Sequence, residues 1–326
     1  MQRTDSTAND GIRCVVVGGA GFIGSHLVER LLDLGHTVDV IDDLSTGRMV
    51  HLSDARRSLD RRLKIHHLDV GDEVAPQLIR QLDPRVIFHL CGRPSEPKAE
   101  ENPALALQAT LSTLVVVLEA ARACTSTKVI VGSSVAAGTT PRRGAGGPSN
   151  EDVVMLGLAH ELAHRCLSRY RERFAVDFTD VRLTNVYGPR QGPDEGAVVP
   201  SAIDAVRRSS PPVMDGDGRQ TRDFLYIDDA VDALCRSIER GGGLALEVGT
   251  GRQVAVRDLL SSVVSIMESE FEELAFAPQR PTEVGRRPCD PRRAELYLGW
   301  APFTGLEDGL ARTIAWWDEQ SKEQQN

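Results

Sequence analysis

The sequence has none of the cysteine patterns that mark a zinc ribbon or a disulfide framework. It contains 326 residues and six cysteines, and no two cysteines form a Cys-x-x-Cys pair. Several lie within apolar stretches, where a buried free thiol is the simplest interpretation. The sequence therefore predicts neither a cysteine metal site nor disulfide bonds. The six residues are Cys14, Cys91, Cys124, Cys166, Cys235 and Cys289.

The sequence also lacks an excess of positive charge and any apolar run of about 18 residues, the length that spans a membrane. Its net charge is −9, which gives no support for binding to nucleic acid or to an anionic membrane. The opening residues, MQRTDSTANDG, are polar and have no apolar core of a signal peptide. We therefore predict a soluble cytoplasmic protein that binds small molecules, with no nucleic acid and no membrane as partner.

Short apolar stretches alternate with longer helical patterns along the first half of the chain. Near-continuously apolar strands between helices are typical of a parallel sheet that is covered on both faces. The sequence therefore predicts an α/β fold, a Rossmann-like doubly wound parallel sheet over roughly the first half of the chain. The C-terminal third has helical patterns at about 256–267 and 305–319 and fewer strands. The apolar stretches are 12–17, 37–41, 63–68, 86–90 and 128–131, and helical spacing covers 22–34 and 104–122.

A glycine triplet lies between the first predicted strand and the first predicted helix. Gly18 permits a tight turn, Gly21 lets the backbone approach a pyrophosphate, and Gly24 lets the helix pack closely on the strand. The N-terminus of the following helix favours anions because its N–H groups are unpaired. This pattern predicts a dinucleotide site.

An acidic residue ends the second predicted strand. Asp42 lies 18 residues beyond Gly24, where a carboxylate binds the ribose hydroxyls and repels a 2′-phosphate. We therefore predict NAD rather than NADP as the cofactor.

The segment MLGLAHELAHRC contains a His-Glu-x-x-His sequence, which on a helix is a zinc-peptidase signature. His160 and His164 would lie one turn apart and could hold a metal ion, with Glu161 as a base. However, His164 is the last histidine of the chain, so no third histidine ligand follows it. We predict no metal site, and zinc hydrolysis stays a minor alternative.

A set of short motifs follows in a fixed order along the chain. The motifs are GGAGFIGSHL, DDLSTG, LDVGD, VIFHLCG, VIVGSS, RLTNVYGPRQ, DGRQTRDFLYIDDAVDAL, EVGTG and LGWAP. In order and spacing they resemble the extended short-chain dehydrogenase/reductases of the NAD-dependent nucleotide-sugar epimerase/dehydratase type. The resemblance covers about residues 12–318.

The resemblance implies a role for individual residues. A nucleotide-diphosphate sugar would be bound by Asn185, Arg222 and Arg287. The implied cofactor-binding residues are Gly18, Gly21, Phe22, Ile23, Gly24, Asp42, Asp43, Ser45, Asp69, Val70, Leu90, Cys91, Gly92 and His160. By the resemblance, residues 42, 43 and 45 bind the adenosine ribose, residues 69 and 70 contact the adenine, and residues 90–92 lie beside the pyrophosphate.

The family's catalytic Tyr-x-x-x-Lys pair is missing. The register of the helix puts Leu156 at the tyrosine position and His160 at the lysine position, and no lysine lies between Lys128 and Lys322. Only the serine position has a match, Ser133 followed by Ser134. We therefore expect Ser133, Ser134 and His160 to be the catalytic residues, since histidine titrates near working pH and can act as a base.

Two functions of different class remain open. The first is an atypical NAD-dependent epimerase or dehydratase that transiently oxidises a hydroxyl of a nucleotide sugar. The second is a catalytically inactive family member that binds NAD or a sugar nucleotide as a partner or sensor. The replaced tyrosine and lysine favour the second, whereas the complete set of binding motifs favours the first.

The resemblance also implies a domain organisation and an oligomeric state. We expect a disordered tail over residues 1–11. The NAD-binding domain would cover 12–184 plus about 222–250, and the substrate domain about 185–221 plus 251–320. Family members commonly form homodimers through a four-helix bundle, here helices at about 103–123 and 152–174.

Overall fold

The computed structural model describes residues 11–57, 61–91, 101–135, 155–193, 196–271, 274–278 and 288–325. The strands are β1 Arg13–Val17, β2 Thr37–Asp42, β3 Leu63–His67, β4 Val86–His89, β5 Lys128–Ser134, β6 Asp177–Leu183, β7 Asn185–Tyr187, β8 Val213–Asp215, β9 Thr221–Arg222, β10 Phe224–Tyr226, β11 Leu244–Val248, β12 Val254–Ala255 and β13 Ala275–Ala277. The helices are α1 Phe22–Asp33, α2 Ser53–Arg57, α3 Val74–Leu82, α4 Pro103–Arg122, α5 Met155–Phe174, α6 Val198–Arg207, α7 Ile227–Arg236, α8 Val256–Ile266, α9 Arg292–Leu298 and α10 Leu306–Gln325.

Seven strands form one parallel sheet in the order β3-β2-β1-β4-β5-β6-β11. The direction in which strands are added reverses between β1 and β4, which lie side by side. Ligands of such sheets bind at this switch point, beyond the carboxyl ends of the strands. The predicted α/β class is confirmed, and the glycine turn after β1 lies at the switch point.

Both faces of the sheet are buried. In β1, Cys14 and Val16 belong to one apolar core, whereas Val15 and Val17 belong to the other. All four side chains are at most 1% exposed, which explains why the strand has no polar alternation. Helices α1 and α7 cover the first face, and α3, α4 and α5 cover the second.

The rest of the described chain forms three two-stranded pairs, β7 with β10, β9 with β12 and β8 with β13. Helices α6, α8 and α10 pack beside them. The helix expected to end near residue 319 continues to Gln325. Residues 1–10 of the predicted tail, which was expected over 1–11, lie outside the described residues.

Helix α4 is unusually apolar. An 18-residue window has a mean hydropathy of 1.7, enough by length and composition to cross a membrane, and 35% of that window is buried. The same helix packs on α3 and α5 against the sheet, and its outward positions include Leu105 and Val115, 52% and 37% exposed.

Candidate active site

The glycine turn connects β1 to α1 and has the geometry that a pyrophosphate requires. Gly18 has a φ of +81°, and a Cβ on Gly24 would lie 2.0 Å from the Gly18 carbonyl oxygen. Beside Gly21 the nearest atom to an added Cβ is 3.4 Å away, so the space is open there. Phe22 and Ile23 open α1, which has neither a side-chain cap nor an acidic first turn. Its N–H groups are therefore available to an anion.

Asp42 is fixed at the end of β2 by backbone amides. Its Oδ2 accepts from Ala20 N at 2.8 Å and its Oδ1 from Leu44 N at 2.9 Å. These bonds tie the carboxylate to the glycine turn. Asp43 lies next to it at the surface and accepts both from the amide (2.9 Å) and from the hydroxyl (2.7 Å) of Ser45. The three predicted ribose residues therefore lie together.

The predicted adenine contacts follow β3. Asp69 accepts from Gly71 N at 2.8 Å, which closes a turn, and Val70 is 5% exposed. Asp42 and His67 are register partners at the ends of β2 and β3, so this turn lies beside the ribose residues.

The end of β4 lies against the glycine turn. A Cβ on Gly18 would approach the Leu90 carbonyl carbon to 2.9 Å, so the glycine turn and the end of β4 are in van der Waals contact. Burial raises the pKa of Cys91 to about 12, which keeps this thiol neutral. Gly92, the third predicted residue of this group, lies outside the described residues.

The centre of the site is a buried carboxylate that the sequence motifs did not indicate. Ser133 on β5 donates its hydroxyl hydrogen to Asp180 on β6, and Ser133 is 3% exposed. Ser134 ends β5 and is more exposed. Asp180 is 2% exposed, and three side chains reach its carboxylate.

The other two partners of Asp180 are a guanidinium and an imidazole. Arg182 Nε lies 3.0 Å and His164 Nδ1 lies 3.2 Å from Asp180 Oδ2. Burial alone would raise the pKa of Asp180, but the bonds from His164 and Ser133 and the charge of Arg182 outweigh it and lower the pKa. Asp180 is therefore a carboxylate at neutral pH.

His160 lies one helical turn before His164 and lines the same cavity. It is 3% exposed, and the cavity, about 10 Å³, is also lined by Ser133, His164 and Asp180. That volume suits about one water molecule. The structure thus brings two of the three predicted catalytic residues, Ser133 and His160, to one small cavity, while the backbone of α5 places Leu156 one turn before His160.

The residues of the His-Glu-x-x-His sequence have protein partners. His164 faces Asp180, and Glu161 lies 3.2 Å from Arg165 and 4.0 Å from Arg182. Among the described residues, no three histidine, cysteine or acidic side chains are grouped as metal ligands. The geometry here is that of an ion-pair network.

Two of the predicted substrate residues lie on neighbouring short strands. Asn185 opens β7 and is the register partner of Phe224 in β10, two residues after Arg222. Asn185 Nδ2 donates to the Asp223 carbonyl at 3.2 Å, and Arg222 Nη1 donates to the Thr221 carbonyl at 2.8 Å. Arg287 lies outside the described residues.

Asp223 fixes the loop next to these residues. Its carboxylate accepts from the amide and hydroxyl of Thr250 (2.9 and 2.7 Å) and from Gly251 N (2.8 Å). Burial raises the pKa of Asp223 despite these bonds. The pair Asn185 and Arg222 is thus held on a rigid support, where an amide and a guanidinium can bind a diphosphate.

Comparison with known proteins agrees with this geometry. The NAD-dependent epimerase/dehydratase family matches residues 14–249. The chain is 33% identical to UDP-glucose 4-epimerase of Mycolicibacterium smegmatis, over 95% of this chain and 100% of that one. It superposes on UDP-glucose 4-epimerase of Thermotoga maritima with UDP-glucose, with a TM-score of 0.85, 27% identity and coverage of 95% and 100%. It also superposes on UDP-glucose 4-epimerase of Thermus thermophilus in complex with NAD, with a TM-score of 0.80, 26% identity and coverage of 94% and 99%. The chain belongs to the NAD-dependent epimerase/dehydratase family.

Proposed function

We propose that the protein is an NAD-dependent enzyme that transiently oxidises a hydroxyl group of a nucleotide-diphosphate sugar, with altered proton-handling residues. The observation that carries the proposal is the bond from Ser133 to Asp180, which His164 and Arg182 hold from the other side. The buried Asp180 carboxylate orients the hydroxyl of the predicted catalytic serine, which supports a working reaction centre. The UDP-sugar enzymes among its relatives support the substrate class.

NAD is the cofactor of this family, and the residues present fit it. The open space beside Gly21 and the uncapped start of α1 suit the pyrophosphate, and Asp42 suits the ribose. When bound, NAD takes up the hydrogen and two electrons of the sugar carbon and later returns them. The chain itself must orient the substrate and move one proton.

Ser133 orients the reacting hydroxyl. Because its own hydrogen is donated to Asp180, its oxygen is left to accept a hydrogen bond from the sugar. His160 then takes the hydroxyl proton through one water molecule, for which the cavity between the two side chains has room. The proton returns by the same route when the ketone is reduced.

The diphosphate lies on the other side of the reacting sugar. Arg222 and Asn185 bind it in this proposal, with Arg287 as a second guanidinium. Two guanidinium groups and an amide match the charge and geometry of a diphosphate.

A second function is favoured by one specific observation. Ser133 and His160 are each 3% exposed, and the cavity between them holds only about one water molecule. A binding protein that keeps NAD and a sugar nucleotide without converting them would have such a closed centre.

The test is turnover of defined sugar nucleotides by the purified protein. The NAD-loaded protein is incubated with UDP-glucose, UDP-glucuronic acid and dTDP-glucose, and products are identified by NMR. We expect conversion of at least one, and a loss of at least about 100-fold in kcat for Ser133→Ala and for His160→Ala. The exposed Ser261→Ala serves as the matched control.

The two functions give different results. Turnover that is unchanged in both variants would overturn the catalytic assignment. Sugar-nucleotide binding that depends on Arg222, with no product from any substrate, would establish the binding function instead.

A further inference from the structure

A large cleft lies away from the predicted cofactor and substrate residues. Its volume is about 670 Å³, within the range of small-molecule sites. Its walls are the segment 48–57, the loop 190–193, α6 and the last turns of α10. None of the residues assigned to NAD or to the sugar nucleotide lines it.

The cleft is basic although the chain has a net charge of −9. Five arginines and two aspartates line it. Three of these arginines are ion-paired, Arg57 with Asp54 at 3.1 Å, Arg208 with Asp204 at 3.1 Å and Arg190 with Glu29 at 2.7 Å. Within the described part of the chain, Arg48 and Arg207 have no carboxylate partner. The cleft therefore carries two uncompensated positive charges.

Arg207 is the more unusual of the two because it is partly buried. Its Nη1 donates to the Trp317 carbonyl, and its guanidinium carbon lies 5.7 Å from the centroid of that indole. A partly desolvated guanidinium without a carboxylate binds phosphate strongly, because water screens the interaction less. Arg48 adds a second, exposed guanidinium from the opposite segment.

The cleft also offers aromatic surface and free hydrogen-bonding capacity. Trp316 and Trp317 line it, with their rings edge to face at 6.0 Å. Gln191 is 7% exposed, and its Oε1 and the Nε1 of Trp317 are buried without a partner among the described residues. Indole rings bind planar bases by stacking, whatever the base.

We propose that this cleft binds a nucleotide, with the phosphates on Arg207 and Arg48 and the base against Trp316 and Trp317. The phosphate part follows from the two uncompensated guanidinium groups, and the base from the two indoles beside them. This site is independent of the proposed reaction, because it shares no residue with the Ser133 centre.

Tryptophan fluorescence can report on the site directly. The chain has three tryptophans, and Trp300 is fully buried elsewhere, with its Nε1 bonded to the Asp229 carbonyl. The protein carrying one equivalent of bound NAD, and no free NAD, is titrated with ATP. We expect quenching of the Trp316 and Trp317 emission and weaker quenching by inorganic pyrophosphate.

Substitutions locate the site. Arg207→Gln should weaken ATP binding at least about tenfold, since one charge-assisted phosphate contact is lost. Arg48→Gln removes an exposed side chain without disturbing packing and should also weaken it. Arg169→Gln, which removes an exposed arginine that pairs with Glu172 on α5 outside the cleft, is the matched control and should leave the affinity unchanged.

Three results would overturn the proposal. One is the absence of ATP quenching in the NAD-loaded protein. Another is unchanged affinity in both Arg207→Gln and Arg48→Gln while Arg222→Gln abolishes the signal, which would place ATP in the proposed diphosphate site. The third is pyrophosphate binding as tightly as ATP, which would leave no role for the tryptophans.

Discussion

Ser133 and Asp180 lie on adjacent parallel strands and share one hydrogen, which the serine donates to the carboxylate. The register of β5 and β6 pairs Ser133 with Arg182, two residues beyond Asp180. The carboxylate therefore reaches both the serine and the arginine of its own strand. This position converts Ser133 from a hydroxyl that rotates into an acceptor with one fixed orientation.

Replacing Asp180 by asparagine tests how much this network stabilises the fold. The substitution keeps the shape but removes the carboxylate nearest to the half-buried Arg182, and removing one member of a buried pair costs about 3 kcal/mol. We expect Asp180→Asn to lower the free energy of unfolding by about that amount at pH 7. Urea unfolding measures it.

The pH dependence gives an independent check on Asp180. Its pKa is lowered below the ordinary value of 3.8, so its stabilisation is complete above that value and is lost as pH falls through the lower, folded-state pKa. The wild-type protein should lose this stability in acid, and Asp180→Asn should not. Asp217→Asn, which removes an exposed aspartate, is the control; an equal loss in both variants would contradict a special role of Asp180.

Local spacing in the sequence determines the geometry of the predicted cofactor side of the site more directly than that of its centre. Gly18, Gly21, Gly24 and Asp42 belong to one continuous strand–turn–helix–strand unit, so local spacing determines their geometry. Asp180 is different, because its partners come from β5 and α5 and are fixed only by strand register. The available signal was an acidic residue within a seven-residue central strand, where burial of an unpaired charge is costly.

Two strands of the central sheet were not predicted from the apolar pattern, because they contain polar residues. β6 (DFTDVRL) and β11 (LALEV) carry polar residues, such as Thr179 and Glu247. These residues are accommodated by tertiary contacts; Thr179, for example, donates to the Gly241 carbonyl at 3.0 Å. Periodicity alone cannot reveal a strand whose polar groups are satisfied by distant segments.

Two glycines of the turn should respond differently to alanine. Gly24→Ala puts a Cβ 2.0 Å from the Gly18 carbonyl oxygen, so we expect a loss of about 3 kcal/mol in unfolding free energy. Gly21→Ala meets nothing closer than 3.4 Å. It should leave stability within about 0.5 kcal/mol and still weaken NAD binding at least about tenfold, because the methyl group fills the space of the pyrophosphate.

Thermal unfolding and isothermal titration with NAD measure these two effects. Gly305→Ala is the matched control, since an added Cβ has nothing within 4 Å there. NAD binding that is unchanged in Gly21→Ala would show that the pyrophosphate does not approach this turn.

Asp42 should determine the preference between NAD and NADP. A carboxylate at the ribose repels a 2′-phosphate, so Asp42→Asn should raise the ratio of NADP to NAD affinity about tenfold. The ratio is insensitive to a general loss of stability. Titration of both cofactors measures it, with the exposed Asp258→Asn as control; an unchanged ratio would contradict the ribose assignment.

The outer faces of α4 and α5 should form the predicted homodimer. Four apolar side chains on these two helices are 37–52% exposed, namely Leu105, Val115, Leu158 and Leu162. Exposed apolar side chains in such number favour association between chains. We expect a dimer by light scattering and a monomer for Leu162→Glu. Leu296→Glu changes a leucine that is 74% exposed outside these helices and should remain dimeric, whereas a monomeric wild-type protein would refute the prediction.

His26 links α1 to the loop after β7 and should make stability depend on pH. Its Nε2 lies 3.0 Å from the Pro189 carbonyl oxygen, and burial, aided by the charge of Arg190, lowers its pKa from 6.5 to about 4. Between those two pH values the unfolded chain binds a proton that the folded chain does not. The free energy of unfolding must therefore fall as pH is lowered through this window, by at most about 1.4 kcal/mol per pH unit for one such group.

The substitution His26→Gln keeps a donor for the Pro189 carbonyl and removes the titration. We expect the slope of unfolding free energy against pH between 6.5 and 4 to become smaller, while stability at pH 7.5 changes little. A residual slope should persist, because burial also lowers the pKa values of His36 and His51. His67→Gln replaces an exposed histidine and should leave the slope as it is. If His26→Gln retains the full wild-type slope, the buried imidazole of His26 is not a group that makes the free energy of unfolding depend on pH.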